Sequence, residues 1–129
     1  MSRSLLDKLG WRVGRPWRVL DIPPALAEVV VPPGEPAAAP DWILAFAADR
    51  AALARTAPEA CGAYRRGGHL WLAYPKRNGR IATDPTRDVG WEPVTGAGFL
   101  PVLQVALDET WSALRFRLRD EIPRLTRRA

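Results

Sequence analysis

The chain has 129 residues and a mass of 14.3 kDa, which fits one domain of ordinary size and leaves no room for a second core. Apolar residues make up 47% of it, which excludes a disordered chain. No apolar stretch approaches the roughly 18 residues that a membrane span needs, and the N-terminus lacks the pattern of a secretory leader. The composition predicts a single stand-alone domain, residues 1–129, located in the cytoplasm.

The net charge of +5 is concentrated at the C-terminus. Six arginines lie between residues 115 and 129, where only Asp120 and Glu121 oppose them, and the rest of the chain is almost neutral. Residues 120–129 are therefore expected to form a basic, solvated tail, with contact to an anionic partner as the alternative. A lone Cys61 excludes an internal disulfide, and Cys61 with His69 does not complete a tetrahedral zinc site. We expect no metal and no cofactor.

The first forty residues contain short elements separated by turn signals. Ser4 followed by three leucines and Gly10 predicts a short capped helix. Trp17 to Ile22 is a predicted strand, which Pro23 and Pro24 end, and a short helix to about Val30 follows. The proline-rich stretch 31–40 predicts an extended surface loop.

Two unbroken apolar runs in the middle of the chain predict buried strands. The first spans residues 42–47 and the second runs from His69 to Tyr74. Between them, Asp49 is a suitable cap for a helix from Arg50 to about Arg66. The order strand, helix, strand predicts a right-handed crossover and parallel pairing. His69 then begins the second strand, at the edge opposite any ligand crevice.

The second half predicts a short helix and a hairpin. Asp84 followed by Pro85 favours a helix to about Trp91. Leu100 to Leu107 is a predicted strand, and from Trp111 to Arg119 apolar residues and arginines alternate with a period of two. This alternation favours an antiparallel hairpin whose arginine row faces water and protects a sheet edge. The alternative is a helix from Glu109 to Leu125, which would have no clear apolar stripe.

Together these elements predict an α/β fold: a single compact three-layer domain with a mostly parallel, Rossmann-like sheet that ends in an antiparallel hairpin strand. Ligands of such sheets bind beyond the carboxyl ends of the strands. The strongly polar end is the one after Tyr74. There, a phosphate or carboxylate is expected to meet a helix start near Pro85 and the side chains of Lys76, Arg77, Arg80, Thr83 and Arg87. The alternative is a solvated loop in which Arg87 pairs with Asp84 or Asp88.

Four strings resemble a bacterial family of short proteins, domain-of-unknown-function family 3052. They are Leu6 to Gly10, Leu70 to Lys76, Thr86 to Trp91 and Asp108 to Phe116. The resemblance spans about Leu5 to Arg117 and departs in the stretch 31–40. It implies a complete protein and no particular activity, and it makes those strings the places to look for a site. They add these residues to the candidate ligand-binding set: Tyr74, Asp88, Trp91, Asp108, Trp111, Ser112 and Arg115.

Several of these candidates also have structural interpretations. Trp91 and Trp111 are expected either in the core or as pocket walls, Asp108 with Arg115 as a hairpin ion pair, and Asp88 with Arg87 as a pair that orients Lys76. No glycine-rich phosphate loop, dinucleotide fingerprint or nucleophile elbow occurs. Val19 to Ile22 resembles the strand that opens the cofactor motif of Rossmann-like methyltransferases, but Pro23 and Pro24 stand where glycines would follow.

Three functions remain open at this point. The first is a non-catalytic or regulatory domain that binds a small anionic ligand or a protein partner at the carboxyl edge of the sheet. The second is a methyltransferase-like enzyme with a degenerate cofactor motif near Asp21. The third is a nucleic-acid binder that uses Arg115, Arg117, Arg119 and the basic tail.

Overall fold

The computed structural model describes residues 4–76 and 90–122, which contain five strands and four α-helices. The helices are α1 (Leu5–Lys8), α2 (Ala27–Val30), α3 (Arg50–Ala63) and α4 (Glu92–Thr95). The strands are β1 (Trp17–Leu20), β2 (Trp42–Phe46), β3 (His69–Pro75), β4 (Phe99–Ala106) and β5 (Trp111–Leu118). Single 3₁₀ turns precede α2 (Pro24–Leu26) and follow β5 (Arg119–Glu121).

All five strands form one mixed sheet in the order β1-β2-β3-β5-β4. β1 with β2 and β2 with β3 pair in parallel, whereas β5 is antiparallel to both β3 and β4. The prediction of a mostly parallel, three-layer, Rossmann-like arrangement was therefore wrong. That prediction extended the parallel pairing of one crossover to the whole sheet. Each further parallel strand would need another crossover connection. Here the strand added next to β3 is β5, which belongs to the β4–β5 hairpin and is antiparallel to β3. Moreover, α3 alone among the described helices exceeds four residues.

Most of the locally encoded elements are present. The Ser4 hydroxyl accepts a hydrogen bond from the Asp7 N–H and caps α1, and Asp49 does the same for the Ala52 N–H of α3. The β2–α3–β3 crossover and the β4–β5 hairpin also form, although α3 ends three residues before its predicted end. Residues 85–89 of the predicted helix from Pro85 to Trp91 lie outside the described residues, and α4 was not predicted.

Each face of the sheet carries its own apolar cluster. On one face, α3 and α4 contribute Leu53, Ala57, Ala60 and Val94 against side chains from β2, β3 and β5. On the other face, α1, α2 and the segment between α1 and β1 pack in a cluster that contains five tryptophans: Trp11, Trp17, Trp42, Trp71 and Trp111. The carbonyl of Leu9 accepts hydrogen bonds from the indoles of Trp42 (2.8 Å) and Trp71 (2.7 Å), so the end of α1 is tied to both central strands. The sheet is thereby buried on both faces along β2 and β3.

The two edges of the sheet are protected differently. The proline-rich loop 31–40 lies along β1, where the Ala37 N–H donates to the Trp17 carbonyl (2.8 Å) and Arg18 donates to the Ala37 carbonyl. At the other edge, β4 leaves Val102 and Leu103 exposed beside a bulge. The prediction that the arginine row of β5 protects an edge was wrong, because β5 lies between β3 and β4. Alternation indicates which face a side chain occupies, but not the position of its strand in the sheet.

Candidate functional site

The residues predicted at the carboxyl end of β3 form a hydrogen-bonded cluster that holds the hairpin. Tyr74 and Ser112 are opposite each other in the β3–β5 register, and the Gln104 amide donates to both hydroxyl oxygens at 3.0 Å. The Lys76 ammonium donates to the Asp108 carbonyl at 2.6 Å. The Asp108 carboxylate in turn accepts from the N–H groups of Thr110 and Trp111. These contacts fix the β4–β5 turn. The described side chains at the carboxyl end of β3 therefore stabilise the hairpin.

The remaining candidates separate into three groups. Trp91 is buried beneath α4 and contacts the rings of Tyr74 and Phe116, which makes it a core residue. Trp111 is also buried, packs edge to face on Phe46 and borders a cleft considered below. The third group lies outside the described residues: Arg77, Arg80, Thr83, Arg87 and Asp88.

Arg115 lies away from the hairpin turn, toward the opposite end of β5. Its position in β5 is opposite Trp71, and its guanidinium donates to the Gly68 carbonyl at 3.3 Å. The predicted hairpin ion pair between Asp108 and Arg115 is therefore absent. Arg115 instead belongs to a group of cations near the amino end of β3.

This group, the basic cluster, consists of Arg15, His69, Arg115 and Arg117. Arg115 and Arg117 lie on one face of β5, on either side of Phe116. Phe116 pairs with Leu70 of β3, and His69 is the residue before Leu70. Arg15 comes from the loop after α1 and is fixed by bonds to the carbonyls of Gly10 (2.8 Å) and Asp41 (3.1 Å). Two separate segments, the loop after α1 and strand β5, thus bring positive charge to His69 at one end of the sheet.

An open cavity of about 600 Å³ lies at this end. Arg15 and His69 of the basic cluster border it, and its full lining is Gly10, Arg12, Val13, Gly14, Arg15, Pro16, Asp41 and His69. Its single carboxylate, that of Asp41, forms an ion pair with Arg65 at 3.3 Å. The lining has an excess of positive charge.

Burial and repulsion act on the groups of this cluster. Burial is the main cause that lowers the pKa of His69 to about 4, and the charges of Arg115, Arg15 and Arg117 lower it further. The imidazole is therefore neutral at pH 7. Burial also lowers the pKa of Arg115, with a further contribution from Arg117. The charge of Asp41 on Arg15 and that of Glu121 on Arg115 act in the opposite direction, but the pKa of each arginine stays lowered.

The basic cluster also holds all the unpaired buried side-chain nitrogens among residues 4–76 and 90–122. They are Nδ1 of His69, Nε of Arg115 and Nε of Arg117. A buried polar group without a partner costs about 1–3 kcal/mol, so three in one place require an explanation.

This cluster was not predicted from the sequence, which placed His69 at the edge opposite any ligand crevice and the arginines of β5 in a row that faces water. In the structure His69, Arg115 and Arg117 are half-buried. The one available signal was the alternation that placed Arg115 and Arg117 on the same face, but their proximity to His69 depends on the pairing of β3 with β5.

Comparisons with known proteins add no assignment. A scan against protein-family models and a search of the curated proteins both find no match. The resemblance to family 3052 therefore stays a prediction. Within the described residues, no group of three or more histidine, cysteine or acidic side chains is arranged to hold a metal ion. None of the described helices has the length and apolar character to cross a membrane.

Proposed function

We propose that the protein is a non-catalytic domain that binds a small oxyanion, such as a phosphate or polycarboxylate, in the basic cluster. The observation that carries this proposal is the basic cluster itself, which contains three unpaired buried nitrogens and of which Arg15 and His69 line an open cavity. The location in the cytoplasm and the role of the loop after Lys76 stay predictions from the sequence.

An oxyanion is the ligand that this arrangement favours on chemical grounds. The guanidinium Nε–H groups of Arg115 and Arg117 are donors only, so an acceptor is needed to satisfy them. Charge-assisted bonds from arginine to phosphate or carboxylate are about twice as strong as neutral ones. A bound anion would also offset the mutual repulsion of Arg15, Arg115 and Arg117.

Covalent catalysis through a serine, threonine or cysteine is not favoured, because no hydroxyl or thiol lines the cavity. The Asp41 carboxylate there is paired with Arg65. The methyltransferase alternative loses its fold argument, since the sheet is mixed. Nucleic-acid binding is not favoured by the described residues, because Arg115 and Arg117 are half-buried and donate to backbone carbonyls.

The proposal is tested by titrating the protein with inorganic phosphate, pyrophosphate and citrate at constant ionic strength. Saturable heat in calorimetry, with a rise in melting temperature, is expected for at least one of them. Arg115→Gln and Arg117→Gln each remove a charged donor and are expected to weaken binding about tenfold or more. Arg119→Gln is the matched control, because Arg119 follows the same strand but is exposed.

Two outcomes would contradict the proposal. One is the absence of saturable binding by any of the three anions to the wild-type protein. The other is an equal loss of affinity in Arg119→Gln and Arg115→Gln, which would show attraction to net charge rather than a site.

A further inference from the structure

A second cleft lies at the opposite end of the sheet, where the chain leaves two adjacent parallel strands toward opposite faces. After β1 it turns through Pro24–Leu26 into α2, which packs in the tryptophan-rich cluster. After β2 it enters α3, which packs in the other cluster. Between parallel neighbours, such a divergence opens a crevice beyond the carboxyl ends of the strands, which is where α/β sheets bind ligands. The local topology therefore produces a ligand-sized opening even though the whole sheet is mixed.

The cleft has a volume of about 320 Å³, at the lower limit of small-molecule pockets. Its apolar surface includes Phe46 and Trp111, whose rings meet edge to face with their centres 5.2 Å apart. Two charged residues complete the lining, which consists of Asp21, Pro23, Phe46, Ala48, Ala52, Arg55 and Trp111. The cleft combines an apolar surface with one negative and one positive charge.

Asp21 is held in an unusual conformation. Its φ is +56°, and it is the only described non-glycine residue in the left-handed region. Its carboxylate Oδ2 accepts a 2.7 Å hydrogen bond from the hydroxyl of Thr56, which is buried in α3. Within the described part of the chain, no donor contacts the other carboxylate oxygen. The fixed backbone and the bond to Thr56 orient this carboxylate at the cleft, which makes Asp21 a candidate binding residue.

Arg55 supplies the opposite charge. It lies on α3, one residue before Thr56, and has no carboxylate within 4.0 Å among residues 4–76 and 90–122. Asp21 and Arg55 therefore line the same cleft without forming an ion pair with each other. The Ala52 N–H at the start of α3 is already bonded to Asp49, whereas Arg55 is a cationic side chain of the lining.

We propose that this cleft is a binding site for a small zwitterion with an apolar side chain, such as a free α-amino acid. The Asp21 carboxylate accepts hydrogen bonds from the ligand ammonium, Arg55 donates to the ligand carboxylate, and the apolar side chain lies against Phe46 and Trp111. This site is independent of the basic cluster, because the two are at opposite ends of the sheet and share no lining residue.

Calorimetry with L-leucine and L-phenylalanine, each compared with two analogues, tests the proposal. One analogue lacks the amino group and the other lacks the carboxylate. We expect at least one amino acid to bind at millimolar concentration or below, and each of its one-charge analogues to bind about tenfold more weakly.

Variants at the two charges identify the site. Asp21→Asn keeps an amide oxygen for the Thr56 hydroxyl and tolerates the left-handed backbone, so we expect it to fold and to lose amino-acid affinity about tenfold. Arg55→Gln is expected to do the same. Arg50→Gln should bind like the wild type, because Arg50 is exposed on the same helix, as Arg55 is, but does not line the cleft. Asp21→Gly relieves the left-handed backbone but removes the acceptor of the buried Thr56 hydroxyl, and we expect it not to bind the amino acid.

Failure of this proposal can be distinguished from failure of anion binding in the basic cluster. If Arg115→Gln binds amino acids normally and Asp21→Asn binds anions normally, the two sites are separate as proposed. The zwitterion site is refuted if neither amino acid binds the wild type at millimolar concentration. It is also refuted if Asp21→Asn or the one-charge analogues retain wild-type affinity.

Discussion

At the scale of single residues, Gly10 and His69 are fitted to each other. Gly10 has a φ of +84°, and a Cβ atom placed on it would lie 2.6 Å from Nε2 of His69. Replacement of this glycine therefore has two consequences, because it strains the backbone and displaces a residue that lines the anion cavity.

We expect Gly10→Ala to lower the free energy of unfolding by about 2–3 kcal/mol and to weaken anion binding. Gly14→Ala is a matched control, since Gly14 also has a positive φ of +88° but open space around its Cβ position. Urea denaturation of both variants separates backbone strain from the clash. If the two substitutions lower the free energy of unfolding equally, the contact between the added Cβ and His69 does not destabilise the fold.

At the scale of elements, Glu121 joins the end of β5 to the turn between α3 and β3. Its carboxylate accepts hydrogen bonds from the Tyr64 hydroxyl and from the backbone N–H groups of Gly67 (2.6 Å) and Leu118 (3.2 Å). Burial tends to raise the pKa of Glu121, but these hydrogen bonds outweigh it and lower the pKa. Burial, followed by the bond to Glu121, raises the pKa of Tyr64 to about 12.

Glu121→Gln is expected to lower the free energy of unfolding by about 1–2 kcal/mol and to lower the pKa of Tyr64. The stabilisation from Tyr64 is lost as the pH rises above 10, because only the unfolded chain then loses that proton. Titration of phenolate absorbance in the wild type, Glu121→Gln and Tyr64→Phe identifies the group. An unchanged tyrosine titration in Glu121→Gln would contradict this coupling.

At the scale of the whole molecule, the basic cluster makes stability depend on pH. The folded-state pKa of His69, about 4, is below the value of 6.5 expected when the chain unfolds. Between these values the unfolded chain binds more protons, so stability falls as the pH is lowered from 6.5 to 4.

We expect a loss of about 1–2 kcal/mol over this interval, less than the full shift implies because the imidazole is half-exposed. The unfolding free energy of the wild type and of His69→Asn, measured against pH, tests this. The variant should lose less stability than the wild type between pH 6.5 and 4. Phosphate should reduce the loss in the wild type, because a bound anion favours the protonated imidazole. Parallel curves for the two proteins would exclude His69 as the cause.

The sequence was informative where neighbouring residues determine the structure. The apolar runs before and after α3, with Asp49 as a cap, were sufficient to predict the β2–α3–β3 crossover. The alternation after Trp111 was sufficient to predict a strand in a hairpin. In each case the signal and the structure lie within about thirty residues.

Strand order and the candidate sites were not predictable in this way. The position of β5 beside β3 depends on pairing between segments some forty residues apart, and no local pattern specifies it. The same pairing brings Arg115 and Arg117 to His69. Likewise, the cleft beside Asp21 depends on the opposite directions in which the chain leaves β1 and β2.

The unequal distribution of tryptophan between the two faces of the sheet makes intrinsic fluorescence a probe of one face. All six indoles are buried, and five of them belong to the cluster on the side of α1 and α2, whereas Trp91 alone belongs to the cluster on the side of α3. Intrinsic fluorescence therefore reports mainly on the attachment of the N-terminal segment. Release of the Leu9 carbonyl from its two indoles would shift the emission to longer wavelength while the helical circular dichroism of α3 was unchanged. A difference in midpoint between those two signals would measure how far the two halves of the core unfold as separate units.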